Sequence, residues 1–230
     1  MSDDLVAGWH GKLPSLGDFA SRRLAPDFVA LWDAWLAAGL AALSQREPEH
    51  WLQRYLACPA WRFVLMPGVL AAPFDGQAFA GVLMPSVDRI GRYFPFSVIA
   101  PLPAPPRTAA DLGSLLSWLH DIDDLAADAL QDDWPIDRLE SELARRPRPV
   151  WPEPTAAPAP LLPVAESAAT HAVAGSQGLI ALLAEAQTQA LQQASAGHAF
   201  WWADGEAADR RLLVTRGLPA QEQLGLLFGC

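Results

Sequence analysis

The spacing of apolar residues predicts six helices along the chain. After Pro26, which suits the first turn of a helix, apolar residues beginning at Phe28 recur every three or four positions as far as Leu43. Thr108 and Asp111 have the spacing of a capping box and predict the start of a second long helix. The predicted helices cover residues 26–43, 48–57, 108–133, 135–144, 178–194 and 219–228.

Shorter apolar runs, rich in β-branched and aromatic residues and bounded by glycine or proline, predict strands. They lie at 6–12, 60–66, 78–84, 93–101, 198–202 and 212–215, and residues 13–18 are predicted as a loop. Short connections between consecutive strands favour antiparallel pairing. The element order therefore predicts an α/β fold, in which a mixed, mostly antiparallel sheet is covered by helices on both faces in a three-layer α/β/α arrangement.

A proline-rich stretch interrupts this pattern in the second half of the chain. Residues 147–163 contain seven prolines, which exclude a helix or a central strand and predict an extended connection. The strands that follow are too few to form a stable sheet alone. We therefore expect a single domain over 1–230, with a main α/β part at 1–145, a Pro/Ala-rich linker at 146–175, and a C-terminal helix and strands at 176–230 that join the same core.

Composition is that of a globular protein that folds without covalent cross-links. The chain has 230 residues, of which 51% are hydrophobic, and two cysteines, Cys58 and Cys230. Two cysteines are too few for a disulfide framework or a zinc site. The N-terminus is acidic where a secretory signal is basic, and the longest apolar run, 28–43, is shorter than the ~20 residues of a membrane span. We expect a soluble, cytoplasmic protein that is not inserted in a membrane.

Acidic residues are concentrated in one part of the chain. The net charge is −10, and residues 108–145 carry ten acidic and two basic side chains, a local net charge of −8. Such a surface repels polyanions, so we expect no nucleic-acid partner. The acidic stretch is either a solvated helix face or a docking surface for a basic partner.

No complete catalytic or metal-binding pattern occurs in the sequence. Gly11-Lys12 lacks both the earlier glycine and the following Ser or Thr of a phosphate-binding loop. No two of the five histidines stand three to five residues apart, as zinc ligands on one helix do. His10, Ser15 and Asp18 include the residue types of a hydrolytic triad, but only their nearness in sequence groups them. We therefore expect a protein without enzymatic activity, cofactor or catalytic metal.

Two polar loops are the candidate functional segments. Residues 11–19 and 84–95 each combine glycine, proline and charges of both signs directly after a predicted strand. They form either a partner-binding surface or a brace, in which Asp18 and Asp88 pair with nearby arginines and lock the loops. The candidate partner-binding residues are Lys12, Ser15, Asp18, Arg22, Ser86, Asp88, Arg89, Arg92, Tyr93 and Trp202.

Trp202 belongs to this set because it follows Trp201 on a predicted strand. Neighbours on a strand face opposite sides of the sheet, so one ring is expected in the core. The other ring lies either under a helix or exposed as an anchor for a partner.

The two loops and several other segments carry motifs of a known family. The motifs are GKLPS at 11–15, GDF at 17–19, WDAWL at 32–36, PAWRF at 59–63, GVLMPSVDRIGRYFP at 81–95, WW at 201–202 and RGLP at 216–219. Dense over residues 8–103 and sparse over 107–195, they resemble the TagF/ImpM family of type VI secretion-associated proteins. The likeness does not extend to the proline-rich stretch.

This resemblance implies a cytoplasmic regulator in a Gram-negative bacterium. Such proteins repress assembly or firing of the type VI secretion apparatus after translation, acting through a scaffold protein that bears a forkhead-associated domain. The family implies no enzymatic activity, metal or cofactor. Two other interpretations of the sequence stay open: a small-molecule sensor or enzyme that uses the loops at 11–18 and 84–95 as a pocket, and a structural part of the apparatus.

Overall fold

The computed structural model describes residues 3–151, 175–204 and 211–228. A short 3-10 turn, Asp3–Leu5, precedes the first strand. Residues 152–174 of the predicted linker lie outside the described residues.

The centre of the molecule is a seven-stranded open sheet with the strand order β2-β1-β5-β4-β3-β6-β7. Every pairing between neighbouring strands is antiparallel. The predicted α/β fold is confirmed, and the pairing is antiparallel throughout. The strands are β1 (Gly8–Lys12), β2 (Phe19–Arg22), β3 (Trp61–Leu65), β4 (Phe79–Met84), β5 (Phe96–Pro101), β6 (His198–Ala203) and β7 (Arg211–Arg216).

Helices cover both faces of this sheet. The helices are α1 (Pro26–Arg46), α2 (Trp51–Ala57), α3 (Ala109–Gln131), α4 (Ile136–Ala144), α5 (Gly175–Ser195) and α6 (Gln221–Phe228). Residues of α1, α2 and α6 pack with one face of the sheet, and residues of α3 and α4 pack with the other. We call the core on the side of α1, α2 and α6 the first core and the core on the side of α3 and α4 the second core. Neighbours on one strand face opposite cores, with Phe63 in the first and Val64 in the second. This is the predicted three-layer arrangement.

Strand β2 and the start of β5 differ from the prediction. Residues 19–22 were not predicted as a strand because they are short and largely exposed, yet they pair with residues 9–12 of β1. The fifth strand begins at Phe96 and not at position 93, because Tyr93 forms an isolated bridge with Val87 inside the preceding loop.

Contacts between the N-terminal part of the chain and the C-terminal segment that contains α6 close the first core. The indole Nε1 of Trp61 donates to the carbonyl of Leu227 at 2.8 Å, and that of Trp35 donates to the carbonyl of Pro219 at 2.8 Å. Helices α1 and α6 meet at Gly39, where an added Cβ would lie 2.0 Å from Leu224 Cδ1. Only glycine permits this approach without displacing Leu224.

Helix α1 combines length with an apolar composition. The helix has 21 residues and is long and apolar enough to cross a membrane, judged by length and composition alone. The sequence predicted a shorter apolar run, 28–43, which would not span a membrane. Core helices of soluble proteins have the same properties, and Phe28, Trp32 and Leu36 of α1 are buried in the first core.

On the opposite face, α3 begins at the predicted capping box. The Thr108 side chain accepts from the Asp111 backbone N–H, and the Asp111 carboxylate accepts from the Thr108 N–H. Burial raises the pKa of Asp111, but hydrogen bonds from the backbone N–H groups of Arg107 and Thr108 lower it further, to below its usual value. The apolar stripe of α3 lies on β3 and β4.

Candidate functional site

The sheet brings the two predicted loops to the same edge. Strand β1 is antiparallel to β5, and β5 is antiparallel to β4, so β1 and β4 run in the same direction. Lys12 ends β1 and Met84 ends β4. The loops that follow these strands therefore leave the sheet side by side, although more than 70 residues separate them in sequence.

A buried ion pair joins the two loops. The Nζ of Lys12 lies 2.5 Å from Oδ2 of Asp88, and the side chains are 3% and 0% exposed. The same ammonium lies 4.3 Å from the ring centroid of Phe19, the first residue of β2. Because both charges are shielded from solvent, each depends on the other for compensation.

Asp88 also fixes the shape of its own loop. Its Oδ1 accepts from the backbone N–H of Ile90 at 3.1 Å and of Arg92 at 2.9 Å, and its Oδ2 accepts from Arg92 Nε at 2.7 Å. Gly91 completes the turn with φ +82°, a conformation that favours glycine. Burial acts to raise the pKa of Asp88, but the hydrogen bonds from Lys12, Arg92 and Ile90 outweigh it and hold that pKa well below its usual range.

Ser86 and Tyr55 anchor the start of this loop. The Ser86 hydroxyl donates to the carbonyl of Lys12 at 2.7 Å. The Tyr55 hydroxyl donates to the Ser86 carbonyl at 3.0 Å and accepts from the Ser86 N–H at 2.9 Å. Burial raises the pKa of Tyr55 well above its usual value, so this hydroxyl stays protonated and keeps donating.

The remaining contacts tie the 84–95 loop to the 11–19 loop. The Arg92 guanidinium donates to the Gly17 carbonyl and lies 3.7 Å from Oδ1 of Asp18. The Arg89 backbone N–H donates to the carbonyl of Leu16 at 3.0 Å. The guanidinium of Arg89, by contrast, has no hydrogen bond or ion pair within the described part of the chain, and Ile90 is 65% exposed. The braced loops thus present a tip formed by Arg89 and Ile90.

The structure separates the candidate residues into groups. Lys12, Ser86 and Asp88 are buried and hold the two loops together, which is the bracing arrangement that the sequence left open beside a partner-binding role. Asp18 is exposed. The Arg92 side chain contacts Asp88 within its loop, and about half of its surface remains exposed. Tyr93 is half-buried.

Three candidates lie away from the tip or point elsewhere. Ser15 Oγ donates to the Trp134 carbonyl at 2.7 Å, which links its loop to the α3–α4 connection. Arg22 is exposed at the end of β2 and donates to the carbonyl of its neighbour Ser21. Trp202 is half-buried on β6, on the face opposite the fully buried Trp201.

His10, Ser15 and Asp18 do not form a triad. Nε2 of His10 lies 3.3 Å from Oδ1 of Asp33 on α1, while its Nδ1 is buried without a hydrogen-bond partner among the described residues. Asp18 accepts from the Phe19 N–H at 2.8 Å instead. Burial lowers the pKa of His10, although Asp33 acts to raise it, so the imidazole is neutral near pH 7.

A second buried charge cluster was missed by sequence reasoning. Arg62 on β3 is 8% exposed; its Nε donates to Oδ2 of Asp123 at 2.8 Å and its Nη1 to Oδ2 of Asp204 at 2.6 Å. His120 Nδ1 lies 3.3 Å from Nη2 of the same side chain. Burial raises the pKa of Asp123 despite the attraction of Arg62. The available signal was an arginine inside an otherwise apolar strand, which requires a counter-charge when buried.

The described residues offer little that resembles a catalytic cavity at the loops. No group of three or more His, Cys, Asp or Glu side chains among them is arranged to hold a metal ion. One open groove of about 600 Å³ lies between α3 and residues 145–149, and another of about 380 Å³ lies beside Pro67, Pro105 and the end of α5. No residue of 11–19 or 84–95 lines either groove.

Fold and site together define a three-layer α/β/α protein in which two loops are locked by buried charges. Residues 8–146 match the model of the TagF N-terminal domain family, which is type VI secretion system-associated. The match covers more than half of the chain, so the chain belongs to this family. The resemblance inferred from the motifs is confirmed.

A solved structure extends the likeness beyond the family match. The crystal structure of PA0076 from Pseudomonas aeruginosa PAO1 is similar with a TM-score of 0.72 and 33% sequence identity. The similarity covers 96% of this chain and 93% of PA0076. No curated protein matches the chain.

Proposed function

We propose that this protein is a cytoplasmic, non-enzymatic regulator that represses assembly or firing of the type VI secretion apparatus after translation. Membership of a type VI secretion-associated family supports a role in this system. The proposed partner is the scaffold protein with a forkhead-associated domain that the family resemblance implies. The observation that carries a binding role is the tip of Arg89 and Ile90 on the braced loops.

The tip has the features of a recognition element. An exposed isoleucine lies beside a guanidinium that is unpaired among the described residues, which combines apolar area with a donor for carboxylates or carbonyls. The turn beneath it is held by Asp88, so binding would order few additional torsions. The alternative, a sensor or enzyme that uses the loops as a pocket, is less favoured because Lys12, Ser86 and Asp88 are already engaged with one another and with the backbone.

The test is gel filtration and calorimetry of the full chain mixed with the scaffold protein. We expect a complex that the double variant Arg89→Ala, Ile90→Ser weakens at least about tenfold, the effect of losing a hot spot. Arg54→Ala is the matched control, because Arg54 is an exposed arginine in a surface ion pair on α2. Absence of a complex, or full affinity of the double variant with equal secretion repression, would refute the proposal.

A further inference from the structure

Strand β2 forms one edge of the sheet: it pairs with β1, and no described strand lies on its other side. Exposed side chains of the same segment contact its main chain. The Phe19 N–H donates to Oδ1 of Asp18 at 2.8 Å. The Ser21 carbonyl accepts from Nη1 of Arg22 at 3.1 Å. Because a strand with a free side can add a strand from another molecule, this edge is a candidate interaction surface.

Two exposed charges of opposite sign stand symmetrically about Ala20 on this edge. Asp18 directly precedes β2, two residues before Ala20, and Arg22 ends β2, two residues after it. The Asp18 side chain is 83% exposed and lies 3.7 Å from Arg92. Arg22 is exposed and forms no ion pair in the described part of the chain, although its charge acts on Glu140 at longer range.

We propose that β2 pairs with β2 of a second copy of this chain, antiparallel and about a two-fold axis at Ala20. The pairing extends β2 by one residue, so that Asp18 of each copy lies opposite Arg22 of the other. Directly opposed side chains on antiparallel strands have Cβ atoms about 4.5–5.5 Å apart, which suits an ion pair. The contact occurs twice, as in every two-fold interface. The small side chain of Ala20 lies at the axis, where two copies of one residue face each other.

The charges beside β2 favour a second copy over a partner of one charge sign. The other titratable side chains of residues 8–23 are paired within the chain: Lys12 with Asp88, Arg23 with Glu140, and His10 with Asp33. One carboxylate and one guanidinium remain at the edge, so a purely acidic or purely basic partner would compensate only one of them. A second copy compensates both.

The proposed dimer is expected to be weak. Its interface is built on four or five residues of each copy, which is small compared with stable interfaces. The net charge of −10 opposes association, but salt screens this repulsion beyond about 8 Å at physiological ionic strength. The inference goes beyond the proposed function and does not depend on it, because Arg89 and Ile90 take no part in the pairing.

The test is sedimentation velocity of the full chain over a range of concentrations. We expect a dimer whose fraction rises with concentration. Asp18→Arg places arginines opposite each other at both ends of the pairing, and Arg22→Asp does the same with carboxylates. Each variant should therefore weaken the dimer at least about tenfold. An equimolar mixture of the two variants brings opposite charges together again and should form a heterodimer.

Two controls separate this contact from a loss of folding. Asp18 and Arg22 are exposed, so each variant should keep a Tm within about 2 °C of the wild type. Arg54→Asp reverses the charge of another exposed arginine, on α2, and should leave the dimer unchanged.

A cysteine at the proposed axis gives a second, geometric measurement. Two copies of Ala20 that face each other have Cα atoms about 4.5–5.5 Å apart, which lies within the range of a disulfide. Ala20→Cys in a Cys230→Ser background should therefore form an intermolecular disulfide under mild oxidation, while the native Cys58 is buried. Gln45→Cys in the same background places an exposed cysteine on α1 and should not cross-link.

Several outcomes would overturn the proposal. A wild type that stays monomeric at every concentration would mean that Asp18 and Arg22 only close the edge. A dimer that neither charge reversal weakens, or that Ala20→Cys does not cross-link, would assign dimerisation to another surface. A mixture that stays monomeric would show that the two charges do not face each other. The Arg89→Ala, Ile90→Ser variant should keep the dimer, so the proposed tip and this inference can fail separately.

Discussion

Lys12 and Asp88 form an ion pair of 2.5 Å with both side chains almost wholly buried. The pair connects the end of β1 to the loop after β4, two segments that the strand order brings to the same edge of the sheet. A lysine at the end of a strand and an aspartate in a glycine-containing loop suggest a surface, yet both lie in the interior. Charged side chains of these loops that do not contact the buried pair remain accessible to a partner, and Arg89 is one of them.

Arg92 and Arg89, three positions apart, should respond differently to alanine substitution. Arg92→Ala removes hydrogen bonds to Asp88 and to the Gly17 carbonyl and should lower the Tm by about 3–6 °C. Arg89→Ala removes an exposed side chain that has no partner in the described part of the chain, and it should change the Tm by about 1 °C or less. Thermal unfolding of both variants checks this, and equal losses would mean that Arg89 also braces the loop.

The depressed pKa of Asp88 predicts a pH dependence of stability. A carboxyl whose pKa is lower in the folded state stabilises fully above its unfolded value of about 3.9. That contribution is lost as the pH falls from there towards the folded pKa. The Tm difference between the wild type and Asp88→Asn should therefore be large at pH 7 and shrink below about pH 4. A difference independent of pH would contradict the ionised state of Asp88.

Two fully enclosed tryptophans offer a matched comparison in the first core. Trp61 donates to the Leu227 carbonyl, whereas Nε1 of Trp201 is buried without a partner among the described residues. Replacement by Phe removes a satisfied donor in one case and an unsatisfied one in the other. Trp61→Phe should lower the free energy of unfolding more than Trp201→Phe, by about 1–2 kcal/mol, in urea titrations. The reverse order would indicate a bound water at Trp201.

A fragment of residues 1–145 should fail to fold by itself. It would lack β6, which pairs with β3, and α6, which packs on α1. Trp61 and the apolar side of α1 would then face solvent. Expression of the fragment followed by circular dichroism and gel filtration checks this. A soluble, cooperatively folded fragment would show that the chain contains two independent units.

Local sequence patterns identified the elements that depend on local physics. The periodicity of α1 and the capping box of α3 need only neighbouring residues, and both were predicted correctly. Strand β2 was missed because four largely exposed residues carry no clear alternation. Its pairing with β1 depends on the hairpin geometry and not on its own composition.

The candidate site was only partly predictable for a similar reason. The motifs located both loops, but burial decided which residues remain available, and burial depends on the strand order. Lys12 and Asp88 meet because β1 and β4 run in the same direction, which no local pattern encodes. Arg62, Asp123 and Asp204 converge from three distant segments, so nearness in sequence could not group them.

The strand order also bears on how the chain reaches its native state. Strands β3, β4 and β5 follow one another in sequence and in the sheet, so they can pair after short loop closures. Strand β1 joins only after β5 exists, and β6 and β7 attach to β3 across more than 130 residues. Folding should therefore proceed outward from a central meander, with β7 acquiring protection last in pulse-labelled hydrogen exchange. Until then β3 is an open edge, and a nascent or stalled chain would be vulnerable to pairing with another molecule there.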